Sequence, residues 1–231
     1  MNGLVYQIIK NMYSKVSLQV DVGVGLTKTF NSHIGVRQGD NLSPTLFNIF
    51  VNDIPDIFDG QCDSVHLTGR YINCLLYADD LVLLSETSNG LQRAMSKLQD
   101  YCDKWGLTVN ALKTKALVIN PRGKGSPNLY LDGNTVEVVD KVTYLGLVLD
   151  KDANFKSCLK SMYQKGLKVF FKLKKMLSPL PSIDTCLHLF EHMIKPVLLY
   201  GSELWAPILF GIRNNKLVNS ENLESFTKTP D

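Results

Sequence analysis

Two apolar runs, Tyr71 to Leu76 and Leu81 to Leu84, are separated by little more than Tyr77-Ala78-Asp79-Asp80, which leaves the chain only a tight reversal between them. Both runs read as strands, so the hairpin they form carries two adjacent carboxylates at its tip. A two-residue hairpin turn usually favours Asn-Gly or Asp-Gly, because glycine takes positive φ without strain. No glycine stands in this turn. Neighbouring carboxylates repel unless water or a cation lies on them, so the tip is either a solvated turn or a metal site. Oxygen donors with no Cys or His in the turn suit Mg²⁺ or Mn²⁺, and such ions point to phosphoryl or nucleotidyl transfer.

The surrounding sequence predicts an α+β fold. Val16 to Val22 and Thr27 to Ile34 are β-rich runs joined by Gly23-Val24-Gly25, a hairpin signal. Ser43-Pro44 offers an N-cap and a proline at the first helical position, and Leu46, Phe47, Ile49, Phe50, Ile54 and Ile57 follow at helical spacing. Leu91, Met95, Leu98, Cys102 and Trp105 line one face of a further helix that Gly106 can end, with strands expected at Leu107 to Val109 and Ala116 to Ile119. Asn120 to Pro127 reads as a loop, Asp132-Gly133 as a hairpin turn, and Val142 to Leu149 as one more strand.

After that the pattern turns helical. A lysine-studded helix is expected from Asn154 or Phe155 to Leu177, a break at Pro179 and Pro181, and a second helix from Ser182 to about Tyr200. Lys156, Lys160, Lys165, Lys168, Lys172, Lys174 and Lys175 stud the first of these, beside an apolar face of Leu159, Met162, Leu167, Phe170 and Leu173. Such a surface is a solvated charged face or a seat for a nucleic-acid backbone. Pro196 to Phe210 falls short of the ~20 apolar residues of a membrane span and reads as buried core. Residues 211–231 lose apolar content and read as a flexible tail.

With 231 residues, 45% hydrophobic and 20% charged, the chain is long enough to bury a substantial core. A net charge of +3 is compatible with a polyanion partner without establishing one. Cys62, Cys74, Cys102, Cys158 and Cys186 are odd in number and contain no CxxC pair, so they predict reduced thiols in an intracellular chain, nuclear or cytoplasmic. The N-terminus lacks a basic leader ahead of an apolar core, and secretion is not expected.

Four segments in order, together with Leu199-Tyr200-Gly201-Ser202-Glu203-Leu204-Trp205, resemble one family. Gly35-Val36-Arg37-Gln38-Gly39-Asp40-Asn41-Leu42-Ser43-Pro44, Tyr77-Ala78-Asp79-Asp80, Asn110 with Lys113-Thr114-Lys115, and Tyr144-Leu145-Gly146 are similar to the motifs of reverse transcriptases encoded by non-LTR (LINE-type) retrotransposons. The resemblance implies a right-hand polymerase palm over residues 1–150, a helical thumb over 151–210 and the tail beyond. It implies an RNA-directed DNA polymerase using two Mg²⁺ (or Mn²⁺) ions, an RNA template, a DNA primer and dNTPs. Asp79 and Asp80 then hold metal; Arg37, Gln38 and Gly39 face the nucleotide and template; Lys113 lies near the triphosphate. Tyr144, Leu145 and Gly146 support the primer end, and Lys160, Lys168 and Lys172 meet the nucleic-acid backbone.

One departure stands against these matches. The family carries a further aspartate on a palm strand upstream of the Gln38 motif, whereas residues 1–34 hold a single acid, Asp21, in an unlike context. Fingers and that first palm strand are therefore expected to be missing, and a noncatalytic nucleic-acid-binding remnant is the alternative function. A remote alternative is a zinc peptidase, since His188-Leu189-Phe190-Glu191-His192 matches H-x-x-E-H, a short pattern that arises easily by chance.

Overall fold

The computed structural model describes residues 3–32, 34–58, 60, 62–67, 69–119, 126–177, 182–210, 212–213 and 216–217. The chain divides into two compact units, Met1–Thr108 and Val109–Asp231. Helices are interspersed with two-stranded sheets, all but one of them antiparallel, so the arrangement is α+β. The units part inside the 1–150 segment, between the predicted Trp105 helix and the Lys113 turn.

The first unit opens on α1, Leu4–Ser14, which has no counterpart among the expected elements, although Leu4, Ile8 and Met12 recur every fourth residue along it. The expected hairpin follows with a shorter ladder: β1, Val16–Leu18, pairs with β2, Phe30–Ser32, and an Asp21–Leu26 bridge leads into the glycine turn. Helix α2 spans Ser43–Phe50. Ser43 is not its N-cap; Leu42 stands there in helical conformation, and the Ser43 hydroxyl donates instead to the Arg37 carbonyl at 2.6 Å. Nor does the helix run to Ile57. It breaks at Val51 and resumes as a 3₁₀ turn over Pro55–Phe58, because proline disfavours a helical residue before it and has no N–H to give.

Val51, Ile54 and Phe58 are buried, and the 3₁₀ turn packs on α3, Ser88–Trp105. Thr87 caps α3 by accepting the Gly90 N–H at 2.9 Å, and Gly106 ends it at φ 66°. The buried face carries Met95, Leu98 and Cys102 as expected and Ala94 and Tyr101 besides, whereas Leu91 is half-buried and Trp105, expected on the same face, is exposed. Phe58 is fully buried, a contribution of about 3 kcal/mol. The expected Leu107–Val109 strand does not form: the Leu107 N–H is taken by the Cys102 carbonyl at 2.9 Å, completing the helix end. Between α2 and α3 lie two hairpins, β3 (Val65–Leu67) with β4 (Arg70–Ile72), and β5 (Cys74–Tyr77) with β6 (Asp80–Leu83).

In the second unit only the start of the Ala116–Ile119 run is strand: β7, Lys115–Ala116, lies parallel to β10, Glu137–Val138. The predicted Asp132-Gly133 turn, with φ of 51° and 70°, joins β8 (Tyr130–Leu131) to β9 (Asn134–Thr135). Val142 to Leu149 is a hairpin rather than one strand, because Leu145 and Gly146 take φ of 46° and 80° and reverse the chain between β11 (Lys141–Tyr144) and β12 (Leu147–Asp150).

The lysine helix is α4, Lys156–Met176. The second expected helix is α5, Ile183–Leu189, one π turn over Phe190–Ile194, and α6, Lys195–Leu198; Pro196 has no N–H for the ladder, which widens ahead of it. The stretch read as buried core contains α7, Ser202–Leu209, and is buried on one face only. Trp205 and Leu209 join Leu147, Cys158 and Met162 in the core, whereas Leu204 and Ile208 are exposed. Gly166 of α4 lets α6 approach closely, since a Cβ there would sit 2.5 Å from a Leu198 methyl. Strands β13 (Ile212–Arg213) and β14 (Lys216–Leu217) pair within the expected tail. The rest of that tail, the Pro179-to-Pro181 break and most of the Asn120 loop lie outside the described residues. Among the described residues no helix is long and apolar enough to cross a membrane.

Candidate active site

The β5–β6 hairpin pairs Cys74 with Leu83, Leu75 with Val82, Leu76 with Leu81 and Tyr77 with Asp80. Its turn is therefore two residues, Ala78 and Asp79, and Asp80 is already the first residue of β6. Ala78 sits at φ 52°, a conformation that costs a non-glycine residue about 1 kcal/mol or more. Tyr77, Asp79 and Asp80 are exposed, and among the described residues no hydrogen bond or ion pair reaches either carboxylate. Two uncompensated negative groups at one strand tip make a local anionic spot open to solvent cations.

The base of this hairpin is held where its tip is not. Leu84 N–H donates to the Asn73 carbonyl at 2.7 Å, and Ser64 bonds the Asn73 side chain. Asp63 ion-pairs with Arg93 of α3 at 2.8 Å and accepts from the Thr87 hydroxyl. Gly90 is required where α3 starts, since a Cβ there would come 2.8 Å from the Asp63 side chain.

The Gln38 loop is braced from behind. Arg37 donates to the Met12 carbonyl and lies over the Tyr13 ring, 5.6 Å from its centroid, while its buried Nε has no partner among the described residues. Asp40 accepts the Leu42 N–H at 3.0 Å and the Tyr13 hydroxyl at 2.9 Å. These bonds, the Leu42 amide first, hold the Asp40 carboxyl below the usual carboxylate range. Gly39 takes φ 84°, and Gln38 and Gly39 are left exposed. Arg37, expected to face nucleotide, is thus directed to α1, and the sequence signals missed Tyr13, Asp40 and Asp63 because partners so far apart along the chain leave no local pattern.

Gln38, Gly39, Asp79 and Asp80 all belong to the first unit; Lys113, Tyr144, Leu145, Gly146, Lys160, Lys168 and Lys172 belong to the second. Lys113 is exposed in a turn organised by Asn110, whose carbonyl accepts the Lys113 and Thr114 N–H groups at 3.1 and 3.0 Å. Tyr144, Leu145 and Gly146 are half-buried at the β11–β12 reversal. Residues 156–176 contain seven lysines and no acid, and among the described residues none of those lysines forms an ion pair. Tyr163, Phe170 and Phe171 are exposed on the same helix.

Neither Asp21, which the sequence placed in an unlike context, nor the remote His188–His192 pattern builds a site among the described residues. Asp21 turns inward to its own hairpin and accepts the Gly23 N–H at 2.8 Å. His188 and His192 stack at 4.0 Å, His192 Nδ1 lies 2.9 Å from the His188 carbonyl, and Glu191 pairs with Lys195 at 2.5 Å. Among the described residues no group of three or more His, Cys, Asp or Glu side chains could hold a metal, so the zinc-peptidase pattern has no third ligand there.

Comparison with known proteins converges on one family. The profile described as Reverse transcriptase (RNA-dependent DNA polymerase) matches residues 3–149. The RNA-directed DNA polymerase from mobile element jockey of Drosophila funebris is 24% identical over 87% of this chain and 22% of its own length. A probable RNA-directed DNA polymerase from transposon BS of Drosophila melanogaster is 27% identical over 74% of this chain and 20% of its own length. The retrovirus-related Pol polyprotein from type-1 retrotransposable element R2 of Nasonia vitripennis is 38% identical over 39% of this chain and 9% of its own length. The chain spans about a fifth of the length of the first two relatives.

Proposed function

Because the chain belongs to the reverse transcriptase (RNA-dependent DNA polymerase) family, we propose that it carries part of a site for RNA-templated DNA synthesis, with Asp79 and Asp80 as the acidic centre. The observation that carries this reading is the β5–β6 tip: a two-residue reversal, braced at its base, that leaves both carboxylates exposed and unpaired among the described residues. Their oxygen-only donor set fits Mg²⁺ or Mn²⁺, which binds through one or two carboxylates and fills its remaining positions with water and substrate phosphates. When bound, the ion supplies charge neutralisation for nucleotidyl transfer.

The chain's own residues divide the remaining work. Gln38 and Gly39, exposed on a loop that Arg37 and Asp40 stiffen, form the platform for the incoming dNTP and templating base. Lys113 offers a positive charge to the triphosphate. Tyr144, Leu145 and Gly146 support the DNA primer end. Lys160, Lys168 and Lys172 meet the phosphate backbone of an RNA template with its DNA primer, and the exposed Tyr163, Phe170 and Phe171 rings add stacking surfaces. On this reading residues 1–150 are palm and 151–210 thumb. We place the chain inside the cell, in nucleus or cytoplasm, where its five free thiols stay reduced.

The acid-free face of α4 also favours a second reading, nucleic-acid binding without catalysis. Primer extension on poly(rA)/oligo(dT), run beside gel-shift binding of the same duplex, tests both. Incorporation by the chain that disappears in Asp79→Ala supports templated synthesis; equal incorporation by the two proteins overturns it. Binding with no incorporation by either selects the second reading.

A further inference from the structure

Both carbonyls of the Leu145-Gly146 turn are capped by side chains from elsewhere in the second unit. The Tyr200 hydroxyl donates to the Leu145 carbonyl at 2.8 Å, and the Lys165 ammonium donates to the Gly146 carbonyl at 3.0 Å. A two-residue turn with φ positive at both positions already matches the twist of its strands, so neither bond is needed for the reversal itself. What the two bonds fix is the direction of the hairpin tip relative to α4 and to the segment before α7.

Tyr200 is in turn held in place. The Trp205 indole N–H donates to the Tyr200 carbonyl at 3.0 Å, and Trp205 is buried in the core. Gly201 takes φ 66°, and a Cβ there would fall 2.8 Å from the Leu147 methyls, so only glycine lets this segment lie against β12. Trp205 therefore fixes the Tyr200 backbone, Gly201 permits the approach, and the Tyr200 hydroxyl reaches the tip. This gives the Leu199-to-Trp205 segment a physical role that its sequence alone did not reveal.

We propose that Tyr200 and Lys165 are positioning residues that clamp the Leu145-Gly146 tip in the orientation in which it meets a primer 3′ end. The inference rests on the primer-support reading of Tyr144, Leu145 and Gly146. Neither residue touches the reacting atoms; both act through the turn. Lys165 differs from the other lysines of α4 in this respect, since its charge is directed to a carbonyl of its own chain.

The test uses the full chain with Tyr200→Phe, which keeps the ring and removes the hydroxyl, and Lys165→Met, which keeps the stem and removes the donors. Lys97→Met is the control, an exposed lysine of α3 with the same charge change and no bond to the turn. Amide exchange over residues 144–147 is measured together with the ratio of affinities for a recessed-3′-end duplex and a blunt duplex of equal length. Tip exchange faster by about fivefold in Tyr200→Phe and Lys165→Met, with a matching fall in the recessed-end preference and neither change in Lys97→Met, is expected for the loss of one net hydrogen bond. Unchanged exchange in both variants overturns the clamp. A recessed-end preference that survives both substitutions also overturns the inference and leaves the primer-support reading intact. A wild-type chain with no such preference ends that reading and the inference with it.

Discussion

Tyr13 donates its hydroxyl proton to Asp40 Oδ2 across 2.9 Å, and this bond ties α1 to the loop that exposes Gln38 and Gly39. The same hydroxyl lies 3.1 Å from Ser43 Oγ, so one phenol meets both sides of the loop. Helix α1, which was not among the expected elements, is what gives Arg37 and Asp40 something to hold.

A depressed carboxyl pKa means that the unfolded chain takes up its proton first as the solution is acidified. The contribution of Asp40 is therefore present above the ordinary carboxylate value of about 4 and lost as pH falls through the lower folded value. Tyr13→Phe removes one of the two bonds that depress it. The variant is expected to show a shallower loss of thermal stability between about pH 5 and pH 3 than the parent, and coincident acid limbs would sink the assignment.

Tyr101 is buried on α3 and donates to Asp53 Oδ1 at 2.6 Å. Burial, then the bond to Asp53, pushes its phenol well up from its ordinary value near 10. The neutral phenol is the form the fold favours, so its contribution is whole below about pH 10 and is lost as pH rises toward the raised folded value. Tyr101→Phe is expected to cost about 1 kcal/mol at neutral pH, a fall of about 3 °C in melting temperature, and to flatten the alkaline limb. Equal alkaline limbs for the two proteins would refute it.

Gly106 and Gly201 share φ 66°, but nothing lies within 4 Å of a Cβ built on Gly106, whereas the Leu147 methyls lie 2.8 Å from one on Gly201. Both Ala substitutions carry the left-handed penalty of about 1 kcal/mol. Gly201→Ala adds overpacking of about 1 to 3 kcal/mol, because Leu147 is itself buried and has little room to move. Urea denaturation of the two variants is expected to separate them by at least about 1 kcal/mol, and equal destabilisation would mean that Leu147 yields freely.

Local chemistry made some of this structure legible and long-range geometry hid the rest. Asp132-Gly133 and Gly106 were readable because glycine at a turn or a helix end has a conformational reason to be there. The Asp79 hairpin was readable because only a few residues separated two apolar runs, though the sequence did not tell that Asp80 would sit in the ladder and Asp79 in the turn. The Leu145-Gly146 reversal was legible only through the family resemblance of Tyr144-Leu145-Gly146 to a hairpin, since β-branched and apolar residues on both sides made the pattern read as one strand. The role of Arg37 could not be read at all: its partners, the Met12 carbonyl and the Tyr13 ring, lie about two dozen residues upstream on a helix that was not expected.

An exposed carboxylate pair with no ion pair among the described residues should bind a divalent cation weakly, with dissociation on the order of millimolar. Mn²⁺ added to isotope-labelled protein is expected to broaden the amide signals of residues 77–81 before those of other exposed acids such as Asp152. In Asp79→Asn the same broadening should need several times more Mn²⁺. Identical titrations for parent and variant would remove Asp79 from the metal site.

Lysines already paired with acids bring less to a polyanion than lysines that are not. Lys115, Lys151 and Lys195 pair with Glu137, Asp140 and Glu191 at 2.6, 3.0 and 2.5 Å, whereas Lys160, Lys168 and Lys172 of α4 have no such partner among the described residues. Replacing either trio with Gln changes the net charge by the same amount. Each phosphate neutralised on a duplex contributes roughly 0.9 to the slope of log affinity against log salt. Loss of the α4 trio is therefore expected to flatten that slope by roughly 2 to 3, and loss of the paired trio by less than about 1. Affinities for one RNA–DNA duplex, measured from low to high salt with both variants, decide the matter. Equal flattening would mean that total charge, and not the α4 face, attracts the nucleic acid.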